Sequence, residues 1–398
     1  MKINISFLKV WIARIGLTLV FVSSTCFWNE QSLRYYVLSS LGVIGLAVFS
    51  FFLRPRYSLK ILKAPFFYWV LIVYGMFEVY GICFLRTAKF NWDFVLMSGI
   101  LQICVTLFLI NLDNTQDVVR LFSQSCFISL IIITGYLFVQ GPSSWLNASL
   151  NEGLSGNRNT VATSLGILLI PSIYLTAQLK KRWSFIVLLI PTATYMIFTG
   201  SKKGVIVAGL IILMLFWSNK NIFKYLLFPI VGLLSIYALF ANETLYNVVG
   251  YRIVDMFAAL GWGQSVTSAQ STVARGHDII AGLYSMWDYP FFGGGMNYFQ
   301  FANHAIHYAH NNYVELLNDV GIVGTLIYYF PFVKKIPQLF DSIQYADSDM
   351  GRRNLFIFLF IFLLSKFILD FAMVSFSAMC IFSMQFLLVA EVMRRERI

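Results

Sequence analysis

Charged residues are scarce in this sequence, and so are cysteine and histidine. Only 12% of its 398 residues are charged and 59% are hydrophobic, whereas a soluble domain carries about twice that charged fraction. The five cysteines form no CxxC pair, which argues against both a disulfide framework and a zinc site. The composition therefore excludes an ordinary soluble enzyme and predicts an all-α integral membrane protein.

Long apolar runs are abundant instead. A helix that crosses a bilayer needs about 20 apolar residues, and the sequence has about twelve such windows. We predict one polytopic membrane domain over residues 1–398, without a cleavable signal because Arg14 interrupts the first apolar run. The expected spans lie near 8–28, 35–53, 64–85, 93–112, 121–139, 159–178, 183–200, 203–219, 222–241, 312–333, 354–373 and 375–392.

The net charge of +11 could suggest nucleic acid as a partner, but the placement of the charge argues against it. With a cytoplasmic N-terminus, most basic residues fall in cytoplasmic loops, as the positive-inside rule requires, and the C-terminus is cytoplasmic too. One long outside loop remains, at 242–311. The basic residues on the outside are Arg34, Arg86, Lys89, Arg158, Lys202, Lys203, Arg252 and Arg275, and the informative ones among them are Lys202, Lys203, Arg252 and Arg275.

The outside loop has its own helical signal. Ile280, Leu283, Tyr284 and Trp287 recur at helical spacing, which predicts a helix whose apolar stripe rests on the bilayer surface or on the tops of the spans. Arg275 points away from that stripe and is expected to face a cavity. A second interfacial helix is expected over 245–260.

Three of the four histidines, at positions 304, 307 and 310, fall between Asp288 and Glu315, where the sequence has no carboxylate. On a helix their spacing would bring them to one face, so a metal site is one interpretation. Because no carboxylate or cysteine accompanies them, we favour the other, in which one functional histidine lies among interfacial polar residues.

His310 immediately precedes the predicted tenth span. Asn312 and Glu315 resemble a capping box at the start of that helix. The N–H groups and macrodipole of a helix start favour anions and disfavour imidazolium, so they would help to keep His310 neutral and basic. A purely structural role for His310 in capping is the alternative.

Each remaining signal also has a structural interpretation. Arg275 could pair with Asp278 on the next helical turn or contact lipid headgroups, and Lys202 and Lys203 could be interfacial anchors. The glycines at 293–295 predict a turn first and a ligand-approach site second. Lys366 and Asp370 are expected to neutralise each other within the eleventh span.

Four stretches in order resemble the O-antigen ligase and polymerase family of bacterial envelope glycan assembly, over roughly 155–325. The last of them carries a histidine-asparagine signature that favours the polymerase branch. The four stretches are SGNRNTVAT at 155–163, TGSKKG at 199–204, ARGHDIIAGLYSMWDYPFFGGG at 274–295 and YAHNNYVELLNDVGIVG at 308–324.

The resemblance implies a membrane glycosyltransferase of the C-type fold that needs neither metal nor other cofactor. Such an enzyme takes donor and acceptor glycans linked to undecaprenyl diphosphate, at the periplasmic face of the inner membrane, and a chain-length regulator is a possible partner. Polymerisation of repeat units is the preferred activity. Ligation to lipid A-core is the alternative, and a transporter or flippase for lipid-linked glycan is a further one.

Residue chemistry assigns roles within this hypothesis. Negative charge develops on the leaving diphosphate, and fixed cations in a site with little water stabilise it. A sugar hydroxyl as acceptor needs a general base, a role that suits His310. The expected diphosphate contacts are Arg275, Lys202, Lys203, Arg252 and Arg158, and the supporting residues are Asn311, Asn312, Asn159 and Gly295.

Overall fold

A computed structural model describes residues 5–26, 65–76, 115–139, 158–178, 189–196, 201–217, 269–344 and 350–373, with scattered positions at 41–48 and 237–254. These residues form helices and turns, with no strand among them, which confirms the all-α prediction. Helices in this part of the chain include α1 (Ile5–Cys26), α2 (Pro65–Tyr74), α3 (Thr115–Val139), α4 (Arg158–Gln178), α5 (Lys202–Trp217), α6 (Ala269–Ser285), α7 (Tyr298–Ala302), α8 (Asn312–Asp319), α9 (Gly321–Gln344) and α10 (Met350–Asp370).

The helices agree with the predicted spans where both can be compared. Within the described residues only Val119–Val139 is both long and apolar enough to cross a membrane, and shorter apolar stretches include Val161–Thr176 and Gly321–Lys334. The spans predicted near 35–53, 93–112, 222–241 and 375–392 lie outside the described residues, apart from scattered positions. The count of twelve and the topology therefore stay predictions.

The chain falls into two compact units. The first comprises Met1–Gly42, Arg120–Thr272 and Leu339–Ser365, and the second comprises Val43–Val119, Val273–Gln338 and Lys366–Ile398. Each unit has its own packing, and the candidate residues divide between them.

The first unit is built around α4, which packs against α1 and α5. Gly166 permits the close approach of α4 to α5, since a Cβ atom there would lie 2.5 Å from Cγ1 of Val207. Arg14, whose partner the sequence does not reveal, donates a hydrogen bond from Nε to Oε1 of Gln124 at 2.9 Å. That bond satisfies a polar group that would otherwise be costly inside an apolar helix pair.

The second unit is organised by a crossing of two tight turns. Gly293 and Gly321 both have positive φ angles, 73° and 65°. A Cβ atom on Gly293 would lie 2.3 Å from the backbone carbon of Asp319, and one on Gly321 would lie 2.4 Å from that of Phe291. Both the backbone conformation and the contact therefore require glycine.

The same crossing separates α8 from α9. Val320 ends α8, and the first N–H groups of α9 are satisfied by the other turn: Ile322 donates to the Pro290 carbonyl at 2.8 Å and Val323 to that of Phe291 at 3.0 Å. The apolar stretch begins at Gly321, not at 312 as the predicted tenth span had it. Residues 312–319 form a separate polar helix, because four of them are Asn, Glu, Asn and Asp.

Candidate functional site

The candidate site in the second unit lies where α6, α8 and the segment between them meet. Gly282 on α6 packs directly against α8, since a Cβ atom there would lie 2.3 Å from Cγ1 of Val314. Asn318 then bonds the two helices, donating from Nδ2 to the Gly282 carbonyl at 2.9 Å and accepting at Oδ1 from Ser285 at 2.6 Å. The contact fixes α6, which carries Arg275, against the helix that follows His310.

The start of α8 differs from the sequence prediction. Asn311, not Asn312, is the N-cap residue, and its Oδ1 accepts from the N–H groups of Tyr313 at 2.9 Å and Val314 at 3.2 Å. Glu315 bonds elsewhere, so the predicted capping box is wrong. Two of the free N–H groups at this helix start are therefore already bonded to Asn311. Those groups are not available to bind an anion, although the sequence had suggested this for the start of this helix.

Asn312 has a different supporting position, in a buried network at the base of the site. Its Nδ2 donates to the Tyr329 hydroxyl at 2.9 Å, and Tyr329 donates to Oδ2 of Asp370 at 2.7 Å. Lys366 pairs with the same carboxylate oxygen, which confirms the predicted neutralisation. The network therefore ties the start of α8 to α9 and to the end of α10.

The three clustered histidines do not share a helix face. Residues 303–311 form turns, bends and irregular backbone, and His304 and His310 have positive φ angles of 49° and 55°. His304 and His307 are exposed, whereas His310 is half-buried. The metal interpretation depended on a helical face, and this segment is not helical. Among the described residues there is also no group of three side chains that could hold a metal ion.

His310 itself occupies a strained position in the backbone. A non-glycine residue at φ 55° is uncommon, and such residues cluster at functional sites. Its ring centroid lies 4.5 Å from that of Tyr308 and 6.3 Å from that of His307. The residue is therefore held by its neighbours in sequence and not by the helix start alone.

Arg275 lies on α6 and is half-buried. Within the described part of the chain it makes no hydrogen bond, and the ion pair with Asp278 that was its structural alternative is absent there. Burial raises the pKa of the Tyr308 phenol above its usual value. The positive charge of Arg275 acts on the same phenol and lowers its pKa, but by less. Tyr308 is therefore in ring contact with His310 and within electrostatic range of Arg275. Sequence reasoning missed Tyr308, although it stands two residues before His310 in the quoted YAHNNY stretch.

Two buried carboxylates on α8 hold the segment that carries the histidines. Asp319 accepts at Oδ1 from the Tyr298 N–H at 3.0 Å, near the beginning of the segment, and Glu315 accepts at Oε2 from the Ala309 N–H at 2.8 Å, near its end. Ala309 is fully buried and immediately precedes His310. Glu315 is thus a second residue that sequence reasoning assigned wrongly, because it fixes the backbone at His310 and not the helix cap.

Burial also shifts the titration of this pair, which lies outside the apolar stretch of α9. It raises the pKa of Glu315 from 4.5 to about 7, and burial together with the charge of Glu315 raises the pKa of Asp319 well above its usual range. The folded protein therefore holds protons that the unfolded chain releases between about pH 4.5 and 7. By linkage, the free energy of unfolding falls as the pH rises through that window.

Glu315→Gln is expected to leave activity within a few fold of wild type, because the amide oxygen can still accept from Ala309. It should also flatten the loss of thermal stability between about pH 4.5 and 7, leaving only the part due to Asp319. Glu315→Leu should lower stability by about 1–3 kcal/mol, the cost of a buried N–H group without a partner, and should reduce kcat. Thermal midpoints in detergent and steady-state rates measure both. If Glu315→Gln and Glu315→Leu had the same thermal midpoint and the same kcat, Glu315 would not position the backbone before His310.

Gly295 belongs to the turn that packs on α8. Its N–H donates to the Asp319 carbonyl at 2.8 Å, and the preceding Gly294 donates to that of Asn318 at 2.8 Å. Gly295 is buried. These bonds support the turn interpretation of the glycine run.

The remaining candidates belong to the first unit. Ser201 precedes α5 and accepts at Oγ from the Gly204 N–H at 3.4 Å, so Lys202 and Lys203 lie in the first helical turn, and Lys203 is buried. A helix start attracts anions, and two lysines add to that positive field. Arg158 and Asn159 are the first two residues of α4. Arg252 lies outside the described residues.

The predicted stripe on α6 is exposed. Ile280 and Leu283 are 53% and 44% exposed, and Tyr284 and the following Trp287 are 76% and 65% exposed. The neighbouring Phe291 and Phe292 are exposed as well, in the turn that is bonded to the first residues of α9. The exposed aromatic surface therefore continues from α6 to the start of the apolar stretch of α9. The second interfacial helix predicted at 245–260 is described only in part, as a π-helical turn at Tyr246–Gly250.

Comparison with known protein families gives a match to part of the chain. Residues 185–329 match the family model described as O-antigen ligase. The matched range contains Lys202, Arg275, Gly295 and His310, and leaves out Arg158. No curated protein matches the chain.

Proposed function

We propose, from the premise that the chain belongs to the O-antigen ligase and polymerase family, that it polymerises repeat units of O-antigen or a related surface polysaccharide. Proteins of this family are glycosyltransferase-like enzymes of the inner membrane that act on lipid-linked glycans. The observation that carries the proposal is that His310 packs on Tyr308, whose phenol also lies in the electrostatic field of Arg275, within one unit.

In the proposed reaction, the donor is a glycan linked to undecaprenyl diphosphate and the acceptor is a hydroxyl of another lipid-linked unit. The bond between the sugar carbon C1 and the diphosphate oxygen breaks, and its electron pair leaves with undecaprenyl diphosphate. A new bond forms between C1 and the acceptor oxygen. His310 takes the proton of the acceptor hydroxyl, as a general base.

Arg275 is proposed to bind the leaving diphosphate. A guanidinium group matches two phosphate oxygens at once, and a half-buried cation without a carboxylate partner among the described residues has its donors available. Lys202, Lys203, Arg158 and Arg252 stay proposed contacts to lipid-linked substrate, supported by their motifs and, for the lysines, by the helix start that they share.

We further propose that the reaction uses no metal or other cofactor, since positive side chains supply the charge stabilisation that a cation would supply elsewhere. The exposed stripe of α6, with Trp287, Phe291 and Phe292, is proposed to lie in the outer membrane–water interface, because Trp and Tyr concentrate there and the turn is bonded to the start of the apolar stretch of α9. The active site then faces the periplasm and both termini the cytoplasm.

A deletion strain tests the proposal. Loss of the polymer ladder, with one repeat unit retained on lipid A-core, is the expected result for a polymerase. Complete loss of attached glycan, with long chains stranded on the lipid carrier, would mean a ligase instead. Purified protein in liposomes should lengthen lipid-linked glycans in the presence of EDTA, whereas movement of glycan across the bilayer without lengthening would mean transport.

A further inference from the structure

Tyr308 packs against His310, and the charge of Arg275 acts on its phenol. Its ring lies 4.5 Å from that of His310 at an interplanar angle of 58°, and its side chain is half-buried. The N–H of the next residue, Ala309, is bonded to Glu315, so the backbone that carries the tyrosine is fixed. A rigid ring in this position presents its hydroxyl in a defined direction.

The hydroxyl of Tyr308 differs from those of Tyr298, Tyr313 and Tyr329 in the same unit. The hydroxyls of Tyr298, Tyr313 and Tyr329 donate to Asp288 at 2.9 Å, to the Phe367 carbonyl at 3.0 Å and to Asp370 at 2.7 Å. Tyr308 has no hydrogen-bond partner within the residues that the structure describes. A hydroxyl on a half-buried side chain that bonds no protein group is left to bond solvent or a ligand.

The charges around Tyr308 define the chemistry of that ligand. Arg275 acts on the phenol as a nearby positive charge, and Glu315 as a negative one, while burial raises its pKa. The phenol therefore stays protonated at neutral pH and is available as a hydrogen-bond donor. A donor within electrostatic range of an arginine that has no carboxylate partner among the described residues suits an anion with several acceptor oxygens, such as a phosphate group.

We propose that Tyr308 is a third substrate-contacting residue, whose hydroxyl donates a hydrogen bond to a phosphate oxygen of the lipid-linked diphosphate gripped by Arg275. The inference rests on the proposed function and deepens it. It also separates two tasks on adjacent rings: Tyr308 holds the leaving group, and His310 receives the acceptor proton. Loss of the hydroxyl should therefore weaken donor binding, whereas loss of the imidazole should not.

The test is the affinity of purified protein in detergent for undecaprenyl diphosphate without glycan. Tyr308→Phe keeps the ring against His310 and removes only the hydroxyl. It should raise the Kd by about tenfold or more, as expected for a hydrogen bond to a charged group, and leave the thermal midpoint unchanged. Tyr313→Phe is the matched control, because that hydroxyl bonds a backbone carbonyl: its midpoint should fall while its Kd stays at the wild-type value.

The outcomes also separate this inference from the proposed function. A wild-type Kd in Tyr308→Phe, with a raised Kd in Arg275→Ala, would reduce Tyr308 to a packing partner of His310 and leave the proposed function standing. A wild-type Kd in both variants would remove the diphosphate grip itself, and with it both proposals.

Discussion

His310→Asn is expected to abolish polymer formation while the protein folds and binds its lipid-linked donor normally. A general base contributes about 10²–10⁴-fold to a rate, enough to remove a polymer ladder in cells. Asparagine is the right replacement because it tolerates the left-handed backbone conformation that His310 adopts at φ 55°. Its amide is not a base at neutral pH, so the variant removes proton transfer and keeps the conformation.

Controls for this result come from the other two clustered histidines. His304→Asn and His307→Asn should retain most activity, because both side chains are exposed, whereas His310 packs on Tyr308. His304 is the closer match, since it too has a positive φ angle. Full transfer activity in His310→Asn, measured with purified protein and lipid-linked repeat units, would show that the base is elsewhere and that His310 is structural.

Periodicity in the sequence was sufficient for the elements whose residues repeat. The stripe of Ile280, Leu283, Tyr284 and Trp287 follows helical spacing, and the structure has α6 over most of it. The apolar windows likewise found the helices near 8–28, 121–139, 159–178 and 354–373. Such helices could be predicted from a single sequence because their signal depends only on the spacing of nearby residues.

Long-range pairing was not accessible in the same way. Asn311 and Asn312 are chemically identical neighbours, and the choice of Asn311 as the N-cap depends on the backbone turn before it. Asn312 instead bonds Tyr329, seventeen positions further on. Glu315 matches a capping box in spacing, but it bonds Ala309, because the segment before α8 folds back over the helix and brings that N–H group to it.

The glycines could be predicted in part, because the sequence indicates their turn but not the contacts they make. A run of three at 293–295 predicts a turn from composition alone, and a turn is present. The structure adds a second requirement, since Gly293 must accommodate the backbone of Asp319 and Gly321 that of Phe291. This requirement arises because two turns that are far apart in the sequence cross in the fold. Because of this crossing, the apolar helix begins at Gly321 and not at the predicted residue 312. Hydropathy averaged over a window of about 20 residues cannot resolve a difference of nine residues in where a helix starts.

Arg275→Lys is expected to lose nearly as much activity as Arg275→Ala. A lysine keeps the charge but offers a single ammonium group, which cannot reproduce the two parallel hydrogen bonds of a guanidinium group to phosphate oxygens. Each charge-assisted bond contributes about 1.5–3 kcal/mol, so we expect kcat/KM to fall by at least tenfold in the lysine variant. Both variants should also bind undecaprenyl diphosphate more weakly than His310→Asn does.

The rival role for Arg275 is an ion pair on the surface of α6, and Asp278→Asn is its matched control. If Arg275 were there to pair with Asp278, removing either partner would have the same small effect, about 0.5 kcal/mol for an exposed helical pair. The structure has no such pair, so Asp278→Asn should behave as wild type while the Arg275 variants lose activity. Near-normal kcat/KM in Arg275→Lys would instead mean that a point charge at this position is sufficient, which fits an anchor to lipid headgroups and contradicts a bidentate grip on the leaving diphosphate.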